Sequence, residues 1–147
     1  MRRLLRLQYG AEGDDFAIED RAAPPEMRHA INNYFLGDLF AINSIPVTTG
    51  GTSFQREVWV ALRTIRAGAT LSYGALARQL GRPKSVRAVG LANGANPVAI
   101  VIPCHRVIGA DGSLAGYGGG ISRQRWLLMH EGVALEKSAR RRILEAG

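Results

Sequence analysis

The chain contains a single cysteine, Cys104, which is followed directly by His105 in the apolar stretch of residues 100–108. A cysteine reacts as its thiolate, so a nucleophilic cysteine needs a neighbour that lowers its pKa or removes its proton. His105 is the nearest candidate for that base. Because side chains alternate along a strand, the two residues can cooperate only if the backbone bends at Pro103 and Cys104, or if a water bridges them. Taken alone, the cysteine could equally be a buried structural residue.

The residues around Cys104 indicate how it is positioned. An apolar β-branched run precedes it and a Gly-Ala-Asp-Gly turn follows at 109–112, so we expect a buried strand that ends at Cys104 and leads into a short hairpin. The Gly-rich residues 116–120 predict a loop that a ligand can approach closely, although such a loop could equally be a linker. Residues 121–131 predict a helix with Trp126, Leu127 and Met129 partly buried, ending at Gly132.

Two short helices are predicted before this stretch. Ser72 can cap a helix over residues 73–80, and a second helix runs from about residue 85 to 93 after a turn at Gly81, which indicates a helix-turn-helix. The second helix has few long polar side chains to read bases in the major groove. Its small residues permit close approach to nucleic acid, and Arg87 could enter the base stack as a wedge. The alternative is an ordinary solvated arginine. Asn96 in the following turn can hold the backbone by Asx-type hydrogen bonds.

The front of the chain gives weaker signals. Residues 4–9 predict a strand, and an apolar repeat from Met27 to Leu39 predicts an amphipathic helix ending near Phe40. Residues 45–51 have the composition of a linker. Thr52 and Gln55 fit the capping box of a further helix, whose apolar repeat continues until Gly68.

Composition limits the classes of protein to consider. The 147 residues carry a net charge of +7 with a pI near 10.5, which favours polyanionic partners, nucleic acid first. A lone cysteine forms no internal disulfide, so we expect a reducing, cytoplasmic location. The sequence predicts no secretion signal and no membrane span. The spacing of the histidines and the cysteine predicts no metal site.

Several motifs together resemble the O6-alkylguanine-DNA alkyltransferases, also called methylated-DNA–protein-cysteine methyltransferases. The resemblance runs from about Thr52 to Gly132 in the family's order and spacing. Its motifs are Ser-Tyr-Gly at 72–74, Arg-Ala-Val-Gly at 87–90, Asn-Pro at 96–97, Ile-Pro-Cys-His-Arg-Val at 102–107, Gly-Tyr at 116–117, and Trp-Leu-Leu at 126–128 with Glu-Gly at 131–132.

The resemblance implies DNA repair by direct reversal of damage. A methyl or other alkyl group would pass from O6 of guanine, and from O4 of thymine, to Cys104 after the base is flipped out of double-stranded DNA bound through the minor groove. The product is a thioether and the chain holds no second thiol to resolve it, so each molecule would react once. The resemblance further implies a monomer without a cofactor or membrane partner.

The resemblance also implies roles for individual residues. Cys104 is similar to the alkyl acceptor, and His105 to the base that acts through a water. Glu131 resembles the carboxylate that orients this histidine, and Asn96 the residue that ties the active-site turn to the helix-turn-helix. Tyr73 resembles the residue whose hydroxyl meets the guanine and whose bulk pushes the phosphate, and Arg87 the one that fills the vacated stack. The remaining substrate-binding or DNA-binding positions are Ser72, Ala88, Arg106, Val107, Tyr117 and Gly118.

We therefore predict an α/β (α+β) fold in three parts. Residues 51–132 form a mainly helical DNA-binding alkyltransferase domain with the helix-turn-helix and a short active-site hairpin. Residues 1–50 form a shortened α/β domain of ribonuclease-H-like type with the linker, and residues 133–147 a basic tail. Some relatives bind a structural zinc in the front domain, but no cysteine precedes Cys104, so none is predicted.

Three alternatives remain at this point. A lesion sensor would flip alkylguanine without reacting, but relatives of that type replace the cysteine. A helix-turn-helix regulator would need base readout, which the second helix does not offer. A hydrolase with a Cys-His pair would turn over many times, whereas alkyl transfer stops at one equivalent.

Overall fold

A computed structural model describes residues 24–114 and 116–135. In this part of the chain it has an α/β arrangement of five α-helices with a two-stranded parallel sheet. The predicted strand at residues 4–9 and the basic tail after residue 135 lie outside the described residues. The α-helices are α1 (Pro25–Phe35), α2 (Ser53–Leu62), α3 (Tyr73–Gln79), α4 (Val86–Gly94) and α5 (Ile121–His130), the strands are β1 (Leu71–Ser72) and β2 (Val107–Ile108), and 3₁₀ turns cover Ala41–Ser44 and Cys104–Arg106.

Helix α1 begins where proline favours a helix and ends earlier than predicted. Pro25 occupies the first turn, where its missing N–H costs nothing. The helix ends at Phe35 rather than near Phe40, because the chain leaves the helical path at Gly37, whose φ is +115°. Leu39 therefore packs against the core from the following turn. The buried side chains of α1 are Met27, Ala30, Ile31 and Tyr34.

Helix α2 begins with the predicted capping box. The Thr52 side chain accepts from the Gln55 N–H, and the Gln55 side chain accepts from the Thr52 N–H. The helix ends at Leu62 instead of continuing toward Gly68, so Ile65 is buried from the turn that follows. The buried indole of Trp59 donates to the Ala92 carbonyl at 2.8 Å, which attaches α2 to α4.

Helices α3 and α4 and the turn between them follow the prediction. Ser72 Oγ accepts from the Ala75 N–H at 3.1 Å and caps α3. Gly81 has a φ of +71° in the intervening turn, a conformation that glycine adopts without strain. Val89, Ala92 and Asn93 are the buried residues of α4, so this face packs inward and the opposite face meets solvent.

The strand predicted before Cys104 is wrong, because its backbone groups have other partners. Pro103 has no N–H to donate, and the Ile102 carbonyl accepts from the Asn96 side chain at 2.7 Å. Only a single bridge joins Ala99 and Ile102 there. The strand β2 instead follows the cysteine and pairs in parallel with β1. The predicted turn at 109–112 is present, with Gly112 N–H donating to the Gly109 carbonyl, but the partner of β2 is β1 rather than a hairpin strand.

Helix α5 buries one of the three side chains that were predicted to be partly buried. Leu127 is buried, but Trp126 is 51% and Met129 47% exposed. The buried side chains of α5 are Gln124, Leu127 and Leu128. The Trp126 ring stacks on His130 with centroids 4.9 Å apart, so it lies along the surface. Residues 116–120 form neither helix nor strand, as predicted. Across residues 24–114 and 116–135, every helix is too short or too polar to cross a bilayer.

Candidate active site

A strained turn brings Cys104 into position, and Asn96 holds that turn. Asn96 Oδ1 accepts from the Val98 N–H at 2.9 Å, and its Nδ2 donates to the Ile102 carbonyl at 2.7 Å. Between these two contacts Ile100 has a φ of +72°, which is unfavourable for a β-branched residue and persists only where the surroundings enforce it. The predicted Asx-type bond is therefore present, together with a second bond toward the cysteine segment.

The backbone bends at Cys104, which satisfies the first geometric condition for cooperation with His105. Cys104 begins a 3₁₀ turn and is only 5% exposed. Burial raises the pKa of its thiol to about 11, and hydrogen bonds from Asn96 and from the local backbone oppose that rise only partly. The thiol is therefore protonated at neutral pH, so its reactivity requires a group that removes the proton.

His105 forms a buried pair with Glu131. The His105 Nε2 and Glu131 Oε2 atoms are 3.0 Å apart, and neither side chain is exposed. Burial would raise the pKa of Glu131, but hydrogen bonds from Arg106 and His105 outweigh it and lower this pKa to about 2. Burial lowers the pKa of His105, although Glu131 opposes the shift. At neutral pH the pair is thus a carboxylate and a neutral imidazole.

This charge state fixes the tautomer of His105. A carboxylate offers no proton, so Nε2 must carry the hydrogen and donate it to Glu131. The other ring nitrogen, Nδ1, then holds a free lone pair. It is buried and has no hydrogen-bond partner among the described residues, which leaves it able to accept a proton.

Arg106 is buried, in contrast to its predicted contact with substrate or DNA. It is 3% exposed, and its guanidinium donates from Nε to Glu131 Oε1 at 2.8 Å and from Nη2 to Oε2 at 2.7 Å. Its Nη1 donates to the Ile65 carbonyl at 2.6 Å. Arg106 therefore holds the carboxylate in place and keeps it ionised.

Two residues of the site were not predicted. Tyr34 on α1 donates from its hydroxyl to Glu131 Oε2 at 2.7 Å. Gln124 on α5 donates from its amide to the carbonyls of His105 and Val107, both at 3.1 Å, and so fixes the path of the 3₁₀ turn. Gln124 lies three and four positions before Leu127 and Leu128, a spacing that places the three on one helix face and could have identified it. Tyr34 lies among the apolar positions of α1 and carries no separate signal.

Tyr73 borders the site on the side of the Gly-rich loop. A Cβ added at Gly116 would lie 3.4 Å from the Tyr73 hydroxyl, and one at Gly90 would lie 3.8 Å from its ring. Burial raises the pKa of Tyr73, a negative charge on Cys104 raises it further, and a hydrogen bond with Asn93 opposes this. The phenol therefore stays protonated and can donate a hydrogen bond near the sulfur.

The other predicted site residues lie in two groups. Val107 directly follows the 3₁₀ turn at Cys104 and is buried. Tyr117 in the Gly-rich loop is buried as well, whereas its neighbour Gly118 is exposed. A Cβ at Gly118 would come 3.5 Å from the Gly94 carbonyl, so the loop packs closely on the end of α4. The hydroxyl of Ser72 serves as a helix cap. Arg87 and Ala88 lie on the exposed face of α4.

The arrangement suits nucleophilic chemistry at sulfur. It contains a buried thiol, a neighbouring imidazole with a free lone pair and an anchored carboxylate, which is the general pattern of an activated nucleophile. Within the described ranges, no group of three His, Cys, Asp or Glu side chains could hold a metal ion.

Comparisons with known proteins identify similar chains. Residues 53–133 match the sequence model of the family described as 6-O-methylguanine DNA methyltransferase, DNA binding domain. A relative in Salmonella typhimurium named methylated-DNA–protein-cysteine methyltransferase is 51% identical over 135 residues, which cover 92% of this chain and 78% of the relative.

Solved structures are similar as well. The crystal structure of Mycobacterium tuberculosis O6-methylguanine methyltransferase has a TM-score of 0.65 and 54% identity, covering 72% of this chain and 64% of that one. The crystal structure of Mycobacterium tuberculosis OGT in complex with DNA has a TM-score of 0.68 and 49% identity, covering 78% of this chain and 70% of that one. The chain thus spans slightly less than two thirds of the first of these structures.

Proposed function

The chain belongs to the 6-O-methylguanine DNA methyltransferase family, and on that premise we propose that it repairs DNA by direct reversal, moving an alkyl group from a damaged base to Cys104. It acts as a methylated-DNA–protein-cysteine methyltransferase. The assignment to named atoms rests on the buried contact between His105 Nε2 and Glu131 Oε2, with His105 directly following the buried Cys104 in the chain.

The reaction requires a proton transfer before sulfur attacks carbon. His105 Nδ1 takes the thiol proton, through a bridging water, and the imidazolium is stabilised by the anionic Glu131. The thiolate forms a bond to the alkyl carbon while the bond from that carbon to O6 of guanine breaks. Tyr73 donates a hydrogen bond to the departing oxygen, and the guanine takes up one proton to end neutral. In the net reaction this is the proton that the thiol gave to His105, so the imidazole returns to its neutral form. The sulfur remains as a thioether, and with no second cysteine in the sequence each molecule acts once.

We further propose that DNA binding uses the exposed face of α4. Arg87 fills the space left by a flipped base, and the small Ala88 lets the helix approach the minor groove. Support comes from their exposure, from the net charge of +7 and from the DNA complex of the mycobacterial relative. Backbone groups of Val107 and Gly118 hold the purine edge, and Tyr117 lines its pocket.

Other predictions extend this proposal. They comprise action on O4 of thymine, a monomeric state, a cytoplasmic location, and a division into residues 1–50, 51–132 and 133–147 with a ribonuclease-H-like front domain.

The decisive experiment follows the alkyl group. Duplex DNA with a radiolabelled methyl group on O6 of guanine is incubated with the protein, with Cys104→Ser and with Cys104→Ala, and the labelled peptide is identified by mass spectrometry. We expect up to one label per protein molecule, on Cys104, and none in either variant. Label that stays on the DNA would support a lesion sensor, and repeated turnover would support a hydrolase; either result contradicts the proposal.

A further inference from the structure

Tyr34 contacts the same carboxylate oxygen that binds His105. Its side chain has no exposed surface, and its hydroxyl lies 2.7 Å from Glu131 Oε2. That oxygen also accepts from His105 Nε2 at 3.0 Å and from Arg106 Nη2 at 2.7 Å. We propose that Tyr34 is a positioning residue for alkyl transfer, which orients Glu131 and tunes the basicity of His105 from a helix outside the family-matched segment. This inference rests on the function proposed above.

Three donors share one carboxylate oxygen of Glu131. Glu131 Oε2 receives three hydrogen bonds, and each donor withdraws part of the negative charge that the oxygen offers to the others. The Tyr34 hydroxyl therefore weakens the pull of the carboxylate on the His105 proton. An imidazole with less support for its charged form has a lower pKa, which keeps Nδ1 unprotonated and ready to accept the thiol proton.

Position matters as much as charge. Arg106 binds both carboxylate oxygens from one side, and His105 and Tyr34 approach Oε2 from other directions. The Tyr34 hydroxyl adds a contact from α1, which is itself held because His130 Nε2 donates to the Tyr34 carbonyl at 2.7 Å. A change in the orientation of Glu131 would rotate the His105 ring and turn its Nδ1 lone pair away from the thiol proton. The contact with the rigid Tyr34 phenol therefore favours one orientation of the Glu131–His105 pair.

Within residues 24–114 and 116–135, few charged or titratable side chains act on the titration of His105. The charged or titratable side chains that face it, directly or through Glu131, come from α1, from the 3₁₀ turn and from the end of α5. They are Tyr34, Cys104, Arg106 and Glu131.

The test compares Tyr34→Phe, which removes one oxygen and keeps the ring, with Ile42→Val as a matched control. Ile42 is 1% exposed in the turn that packs on α1, so its variant perturbs the same region without touching Glu131. Both proteins are checked for folding by thermal unfolding. The His105 imidazole is then titrated by ¹⁵N NMR, with its signals assigned through His105→Gln.

We expect the pKa of His105 to rise by about 0.5 to 1 unit in Tyr34→Phe and to stay unchanged in Ile42→Val. In a Glu131→Gln background, Tyr34→Phe should leave the pKa of His105 unchanged. An unchanged pKa in Tyr34→Phe, or an equal rise in Ile42→Val, would overturn the inference.

The rate of alkyl transfer gives a second measurement. The acid limb of its pH profile should move to higher pH in Tyr34→Phe, in step with the NMR titration, because the protonated imidazole cannot act as a base. A profile that only scales down, without moving, would indicate a purely structural tyrosine. The NMR titration needs no DNA, so absence of transfer by the unmodified protein would refute the proposed function while the Tyr34 result is still read separately.

Discussion

Arg106 binds the carboxylate of Glu131 through two parallel hydrogen bonds, of 2.8 Å from Nε to Oε1 and 2.7 Å from Nη2 to Oε2. The fork geometry of a guanidinium matches a carboxylate, whereas an ammonium group makes a single-point contact. Both side chains are buried, so water solvates neither charge and each must be compensated by the other. This contact keeps the carboxylate next to His105 ionised at neutral pH.

Replacing Arg106 by lysine should therefore destabilise the fold although the charge is kept. We expect a loss of about 2 kcal/mol in the free energy of unfolding, since two charge-assisted hydrogen bonds and the one to Ile65 cannot all be remade. Arg66→Lys, at an exposed position, should change it by less than about 0.5 kcal/mol. Urea unfolding measures the free energy of unfolding of both variants. Equal losses in the two would contradict a stabilising role for the buried contacts of Arg106 with Glu131 and Ile65.

Acidification should weaken the fold in two windows. The folded-state pKa of Glu131 is about 2 against an ordinary 4.5, so its contribution is complete above 4.5 and is lost as pH falls toward 2. The linkage corresponds to roughly 3 kcal/mol. The pKa of His105 is lowered below 6.5, so the unfolded chain binds its proton first and stability already declines as pH falls below 6.5.

This pH dependence is measured by urea unfolding from pH 7 to pH 3. Glu131→Gln should be less stable at neutral pH, yet its stability should fall less steeply between pH 4.5 and 3 than that of the unmodified protein. Parallel curves for the two proteins would show that Glu131 is not the group responsible.

The Gly-rich loop offers a matched pair of substitutions. Gly116 and Gly120 have φ values of +76° and +91°, so alanine strains the backbone at both, by about 1 kcal/mol. A Cβ at Gly116 would lie 3.4 Å from the Tyr73 hydroxyl, whereas one at Gly120 would meet nothing within 4 Å. Gly116→Ala should therefore slow alkyl transfer more than Gly120→Ala does, because only the first places a methyl group against the Tyr73 hydroxyl. Similar transfer rates in the two variants would show that the position of the Tyr73 hydroxyl does not affect alkyl transfer.

The wedge role of Arg87 predicts a difference between substrates. Arg87→Ala should slow repair of duplex DNA by about tenfold or more, because the flipped base then returns more readily to the stack. Reaction with free O6-methylguanine needs no flipping and should be unaffected. Arg66→Ala is the control for loss of one positive charge. Equal losses on both substrates would remove the wedge role.

Features set by neighbours within a few residues were predictable from the sequence. The Thr52 capping box, the Ser72 cap and the Asn96 turn each depend on partners two or three positions away. The end of α1 was missed, since the apolar repeat continues to Leu39 while the backbone departs at Gly37. The buried face of α5 was predicted only in part, since Leu127 is buried as expected, Trp126 is exposed, and the buried Gln124 was not predicted.

Contacts between distant residues were not predictable in this way. Cys104 and His105 are adjacent, so their pairing could be inferred directly, but Glu131 was identified only through the family resemblance. Tyr34 and Glu131 lie 97 positions apart, and no periodicity connects them. The burial of Arg106 was missed for the same reason, since arginine is ordinarily exposed and its partner lies 25 positions away.

The convergence of distant donors on Glu131 has a consequence for biosynthesis. The carboxylate follows α5, while its partners come from α1 and from the turn at Cys104. A nascent chain still attached to the ribosome can fold its earlier helices, but its thiol has no anchored imidazole until residue 131 has left the exit tunnel. The Cys104 thiol therefore stays unreactive in a nascent chain until α5 has docked and Glu131 has joined His105.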